Sequence, residues 1–111
     1  MSSCWGDYDN DGLMDLYISN MFSSAGNRIT SQERFHENAS DSTRAEFRRH
    51  ARGNTLLKNM GDGTFSDVSA GAGVTIGRWA WGSKFADLNN DGWEDLLVTN
   101  GFITQQDSGD L

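Results

Sequence analysis

Asp7-Tyr8-Asp9-Asn10-Asp11-Gly12-Leu13-Met14-Asp15 decides how this chain is read, because the pattern returns as Asp87-Leu88-Asn89-Asn90-Asp91-Gly92-Trp93-Glu94-Asp95. Each copy sets an oxygen-bearing side chain at its first, third, fifth and ninth positions, with Gly at the sixth. Alternate residues of such a loop turn inward, so Asp7, Asp9, Asp11 and Asp15 can converge on one point. The backbone carbonyl of Leu13 can supply a further ligand. Gly12 permits the sharp turn between the two halves of the loop. Donors made only of oxygen suit a hard cation, and a flexible cage at about 2.3–2.6 Å makes Ca²⁺ the expected ion rather than zinc, copper or Mg²⁺. Asp, Asn and Gly also build plain turns. The second copy argues against that simpler reading, as does the repulsion among four acidic groups gathered without a counter-ion. The second loop holds three carboxylates and the Asn89 amide, so it is expected to be the weaker site.

The two loops lie in an internal repeat offset by 80 residues. Ser3 aligns with Ser83, Trp5 with Phe85 and Gly6 with Ala86. Beyond the loop, Asp15-Leu16-Tyr17-Ile18-Ser19-Asn20 aligns with Asp95-Leu96-Leu97-Val98-Thr99-Asn100, and Phe22 with Phe102. These flanks are short and rich in aromatic and β-branched residues, so the unit reads as strand, cation loop, strand. An EF-hand needs an acidic twelfth residue and flanking helices. The twelfth positions here are Ile18 and Val98. A dockerin-type pair fails for the same want of helices.

The chain has 111 residues, so it spans at most one ordinary domain. Six Phe, four Trp and two Tyr argue for a folded chain rather than a disordered one. A net charge of −7 disfavours nucleic acid or an anionic membrane as partner. The single cysteine, Cys4, excludes an internal disulfide. No apolar run is long enough to span a bilayer as a helix, and the first residues lack the features of a secretion signal.

Between the loops, residues 21–53 interrupt the strand pattern. Ser31 to Arg52 contains neither Gly nor Pro, and Phe35, Ala39, Thr43 and Phe47 recur at helical spacing. One or two short helices are expected there. Six arginines cluster in this insert and read as a solvated face, with an anionic glycan as the sharper alternative. Asn38-Ala39-Ser40 is a glycosylation sequon. Residues 54–69 read as a hairpin turning at Gly61-Asp62-Gly63. Trp79, Trp81, Ser83 and Phe85 are expected on one core-facing side of a strand, while Trp93, inside the second loop, is expected at the surface.

Asn54-Thr55-Leu56-Leu57-Lys58-Asn59-Met60-Gly61-Asp62-Gly63-Thr64-Phe65-Ser66-Asp67-Val68, then Ala72-Gly73-Val74 and the second loop, resembles the FG-GAP/VCBS repeat. The version found with ASPIC/UnbV domains is especially similar, as in Gly26-Asn27-Arg28-Ile29 and Gly77-Arg78-Trp79-Ala80-Trp81. The resemblance covers nearly the whole chain and is weakest at about residues 31–50. It implies an all-β fold of antiparallel β-propeller blades, like the head of an integrin α-subunit, with Ca²⁺ between the first two strands of each blade. By position it assigns Asp7, Asp9, Asp11, the Leu13 carbonyl and Asp15 to one Ca²⁺ site. Asp87, Asn89, Asp91, the Trp93 carbonyl and Asp95 form the other.

The expected architecture is therefore about one and a half blades, six strands, with a short partly helical insert. It divides into a first strand pair with its loop at 1–20, the insert at 21–53, the hairpin at 54–69 and a second strand pair at 79–102. Propellers close with about 4–8 blades. The expected setting is thus a larger extracellular propeller, acting as a non-enzymatic scaffold that binds a protein or glycan ligand. Open strand edges offer an alternative, a self-assembling ring or fibre built as a homo-oligomer. A further alternative is a non-catalytic part of a polysaccharide-active enzyme. No paired acid and base stands outside the loops.

Overall fold

The computed structural model describes residues 2–22 and 24–101. Strands β1 (Ser2–Gly6), β2 (Asp15–Ser19), β3 (Thr55–Asn59) and β4 (Phe65–Asp67) form one antiparallel sheet in that order. Strands β5 (Ala80–Ala86) and β6 (Asp95–Asn100) pair as a second antiparallel sheet. Helices α1 (Ser24–Thr30) and α2 (Asp41–Ala51) lie between β2 and β3. The six expected strands are thus present, as one four-stranded blade and the first pair of another. Phe102, counted with the last strand pair, lies outside the described residues.

The period-two pattern of β2 explains its place at the centre. Asp15, Tyr17 and Ser19 point one way and are buried, Tyr17 with 1% of its surface exposed. Tyr17, Leu56 and Phe85 form the core, with Cys4, Val68, Val74 and Leu96 packed around them. Tyr17 meets Phe85 edge-on, with ring centroids 6.3 Å apart. Each of these three side chains contributes on the order of 1.5–3 kcal/mol by leaving water. Because Phe85 comes from β5, the core lies between the two sheets. A polar seam continues it, with the Ser2 hydroxyl 2.9 Å from that of Ser19 and 3.0 Å from that of Ser83.

The second sheet also accounts for one difference between the repeats. A Cβ on Gly6 would stand 2.5 Å from the Phe85 ring and 2.4 Å from a Glu94 carboxylate oxygen. The neighbouring sheet therefore leaves room only for glycine where the other copy has Ala86.

The insert departs from the helical expectation in its limits. Phe35 and Ala39 stand in turns, whereas α1 covers Gly26. His36 adopts a left-handed φ of 47°, which ends any continuous helix. Ser40 then caps α2 by accepting the Thr43 N–H. Phe35 still packs edge-on against Phe47, at 5.5 Å between centroids, and His36 stacks on Phe47. The ends of the insert are clasped. The Asn20 N–H donates to the Asn54 side chain, and the Asn54 N–H donates to the Thr75 carbonyl, each at 2.8 Å.

The tryptophan stripe is corrected by a bulge. Register slips between Ala80 and Gly82, so Ala80 faces inward while Trp81 is 53% exposed. Trp79 precedes the strand and is also partly exposed. Phe85, beyond the bulge, is the one aromatic of that set in the core. Among the described residues, no helix is long and apolar enough to cross a membrane.

Tyr17 makes the core's stability depend on alkaline pH. Burial pushes its phenol up to about 12, and its hydroxyl donates to the Val74 carbonyl at 3.1 Å. The folded state keeps the proton that the unfolded state loses near pH 10, so Tyr17's contribution is complete below pH 10 and is lost as pH rises toward about 12. Tyr17→Phe is expected to remove much of that alkaline slope in urea unfolding. It should also lower neutral-pH stability by about 1–2 kcal/mol, through the orphaned carbonyl.

Candidate metal centre

The first loop is built by its own backbone. The two carboxylate oxygens of Asp7 accept the N–H groups of Asp11 and Gly12, at 3.0 and 2.9 Å. Asp11 accepts the Leu13 N–H at 2.9 Å. Asp15 closes the circuit by accepting the Tyr8 N–H at 3.2 Å. Two left-handed residues, Asn10 (φ 55°) and Gly12 (φ 86°), turn these amides inward. Asn and Gly are the residues that adopt this conformation at least cost.

The second loop repeats the scheme position by position. Asp87 accepts from Asp91 and Gly92, Asp91 from Trp93, and Asp95 from Leu88, all at 2.8–3.1 Å. Asn90 and Gly92 carry the left-handed turns, with φ of 59° and 87°. The repeat is one of conformation as well as of sequence.

In the first loop, carboxylate oxygens of Asp7, Asp9 and Asp15 lie within 4.8 Å of one another. Oxygens sharing a cation at about 2.4 Å can stand no more than about 4.8 Å apart, so this spacing fits one ion. Asp9 Oδ1 is buried and has no hydrogen-bond partner. A buried carboxylate oxygen without a partner is costly, and a cation between these three groups would satisfy it. The donor set therefore fits Ca²⁺. Asp11 is the fourth carboxylate of the corner but is not one of these three converging groups. One of its oxygens holds Leu13, and the other lies 3.0 Å from Lys58 Nζ. The same ammonium contacts Asp9 Oδ2. Hydrogen bonds from Lys58 and then from the Leu13 N–H hold the Asp11 carboxyl below its usual range, and the two aspartates hold the Lys58 amine well above its own.

The second loop gathers less tightly. The Asn89 amide donates to Asp91 Oδ2 at 2.9 Å and accepts the Asp91 N–H at 3.0 Å. Among the described residues, no three acidic groups of this loop converge as those of the first do. Trp93 is exposed, as its place in the loop implied. The loops are joined to each other. Asn10 Nδ2 donates to the Gly92 carbonyl at 3.0 Å, and the Asp7 N–H donates to the Glu94 carboxylate at 2.9 Å.

Two residues of β3 belong to this centre and were not singled out by the loop pattern. Asn59 donates its N–H to Asp15 Oδ1 at 2.8 Å and its amide to the Met14 carbonyl at 3.2 Å. Lys58 is the other. The pairing of Leu16 with Leu57 brings the end of β3 beside the loop, so the register was the signal that could have found them.

A complete four-stranded antiparallel blade, followed by the opening pair of another with the same acidic corner, defines a propeller-type repeat. The description of the FG-GAP-like repeat matches residues 40–98, more than half of the chain, and the chain belongs to that family. No curated protein matches it. No solved structure does either. The matched stretch holds α2, the hairpin and the second loop. The first loop lies outside it and reproduces the same geometry.

Asp15 has no exposed surface, and both its oxygens accept backbone N–H groups. Asp15→Asn turns an amide nitrogen toward one of those donors. It is expected to cost about 2 kcal/mol in denaturant unfolding without added calcium, and Asn89→Asp, which sets a carboxylate oxygen against Asp91 Oδ2 where the amide now donates, should cost up to about 1 kcal/mol on the exposed second loop under the same conditions.

Proposed function

We propose that this chain is a calcium-binding segment of an extracellular β-propeller, serving as a scaffold whose loops engage a protein or glycan. The observation that carries the calcium reading is the orphaned Asp9 Oδ1 between Asp7 and Asp15. Asp7, Asp9, Asp15 and the Leu13 carbonyl would hold the first ion, with Asp11 at its margin. Asp87, Asn89, Asp91, Asp95 and the Trp93 carbonyl would hold the second. A bound ion would supply charge compensation and folding energy, since only the folded chain presents the whole donor set. Extracellular calcium is plentiful enough for sites of modest affinity.

The role is structural rather than catalytic. The carboxylates of the first loop are engaged as acceptors by backbone N–H groups and by Lys58, which leaves them poorly placed for proton transfer. Exposed apolar residues on the outer strands, Phe65 on β4 and Leu97 on β6, favour pairing with further blades or with a second copy.

Calorimetric titration with Ca²⁺ tests the reading. The wild type is expected to show two uptake events, with Asp9→Ala losing one and Asp91→Ala the other. At a free concentration a hundredfold above Kd, each ion should add about 2.7 kcal/mol to stability. A wild type that takes up no calcium overturns the assignment.

A further inference from the structure

Among the described residues, the first loop carries a cation of its own and the second does not. Lys58 Nζ contacts Asp9 Oδ2 and lies 3.0 Å from Asp11 Oδ2, reaching in from β3. Among the described residues, no lysine or arginine pairs with an acidic group of the second loop. We infer that Lys58 is a built-in counter-ion that lets the first corner stand without calcium and thereby weakens that site for the ion. This rests on the calcium reading of the loops.

The argument is one of linkage. The ammonium neutralises part of a four-carboxylate cluster in the ion-free chain, so that chain is stabilised. A divalent ion entering among Asp7, Asp9 and Asp15 then meets a positive charge that already shares Asp9. Whatever favours the ion-free state is subtracted from the binding free energy. A like charge within a few ångströms is repulsive even at high dielectric. By carboxylates at the four side-chain ligand positions alone, the first loop is the stronger site, with four against three. Lys58 offsets that advantage. The first corner is thus the less calcium-dependent of the two, and the second depends on its ion.

Lys58→Met keeps much of the stem and removes the charge. In an Asp91→Ala background, which isolates the first loop, Lys58→Met is expected to tighten Ca²⁺ binding about tenfold by calorimetry. The same substitution should lower the melting temperature in chelator and enlarge its rise on adding calcium. Lys58→Arg, which keeps the charge, should bind within about twofold of wild type. A Lys58→Met chain that folds only when calcium is added supports the inference. Unchanged or weaker binding in that variant overturns it while leaving the calcium assignment intact, as does a variant that stays unfolded at every calcium concentration. A wild type without uptake overturns the calcium assignment itself.

Discussion

Four carboxylates brought to one β–β corner repel one another, and the surrounding structure is arranged around relieving that repulsion. Two unit charges 4 Å apart interact by about 1 kcal/mol in water and about 4 kcal/mol at a protein surface. The chain answers with groups of opposite polarity drawn from several distances along the sequence. Inward-turned amides of Asp11 and Gly12 serve Asp7, and those of Tyr8 and Asn59 serve Asp15. The Lys58 ammonium serves Asp9 and Asp11. One oxygen of Asp9 is left over, and it is the atom to which the proposed ion answers.

The same constraint ties the loop to the sheet. Asp15 is both the last residue of the acidic pattern and the first of β2, and its two oxygens bridge the start of the loop to the end of β3. A buried carboxylate is tolerable only with such partners. The apolar core beside it is small, resting on Tyr17, Leu56 and Phe85. Polar joints therefore carry an unusual share of the architecture. The Ser2, Ser19 and Ser83 hydroxyls join the two sheets at one end, and Asn10 and Glu94 join the two loops at the other.

Elements with strong local chemistry were legible in the sequence. The paired loops declared themselves by spacing, the hairpin by Gly61-Asp62-Gly63, and β2 by its aromatic and β-branched residues. What escaped depended on partners remote in the chain. The bulge at Trp81 breaks the alternation that the residues themselves suggest, and pairing with β6 reveals it. The helix limits follow from the turns around the left-handed His36 and from the Ser40 cap, which no periodicity announces. Lys58 and Asn59 sit in an unremarkable strand and matter because of which residues face them across the sheet. Gly6 needs to be glycine because of Phe85 and Glu94, which arrive from the next repeat.

The clasp of Asn20 and Asn54 has a consequence for how such repeats diversify. Both ends of the helical insert leave the blade at the same spot, so the sheet senses where the excursion begins and ends but not how long it is. Loop-closure entropy grows only as the logarithm of length. The stretch between the two asparagines is thus an exchangeable cassette. Its α2 carries Arg44, Arg48 and Arg49, with no buried residue, and ends on Arg52, beside a body that is otherwise acidic. A different sequence mounted on the same two anchors would give the blade a different outer surface while leaving its strands in register.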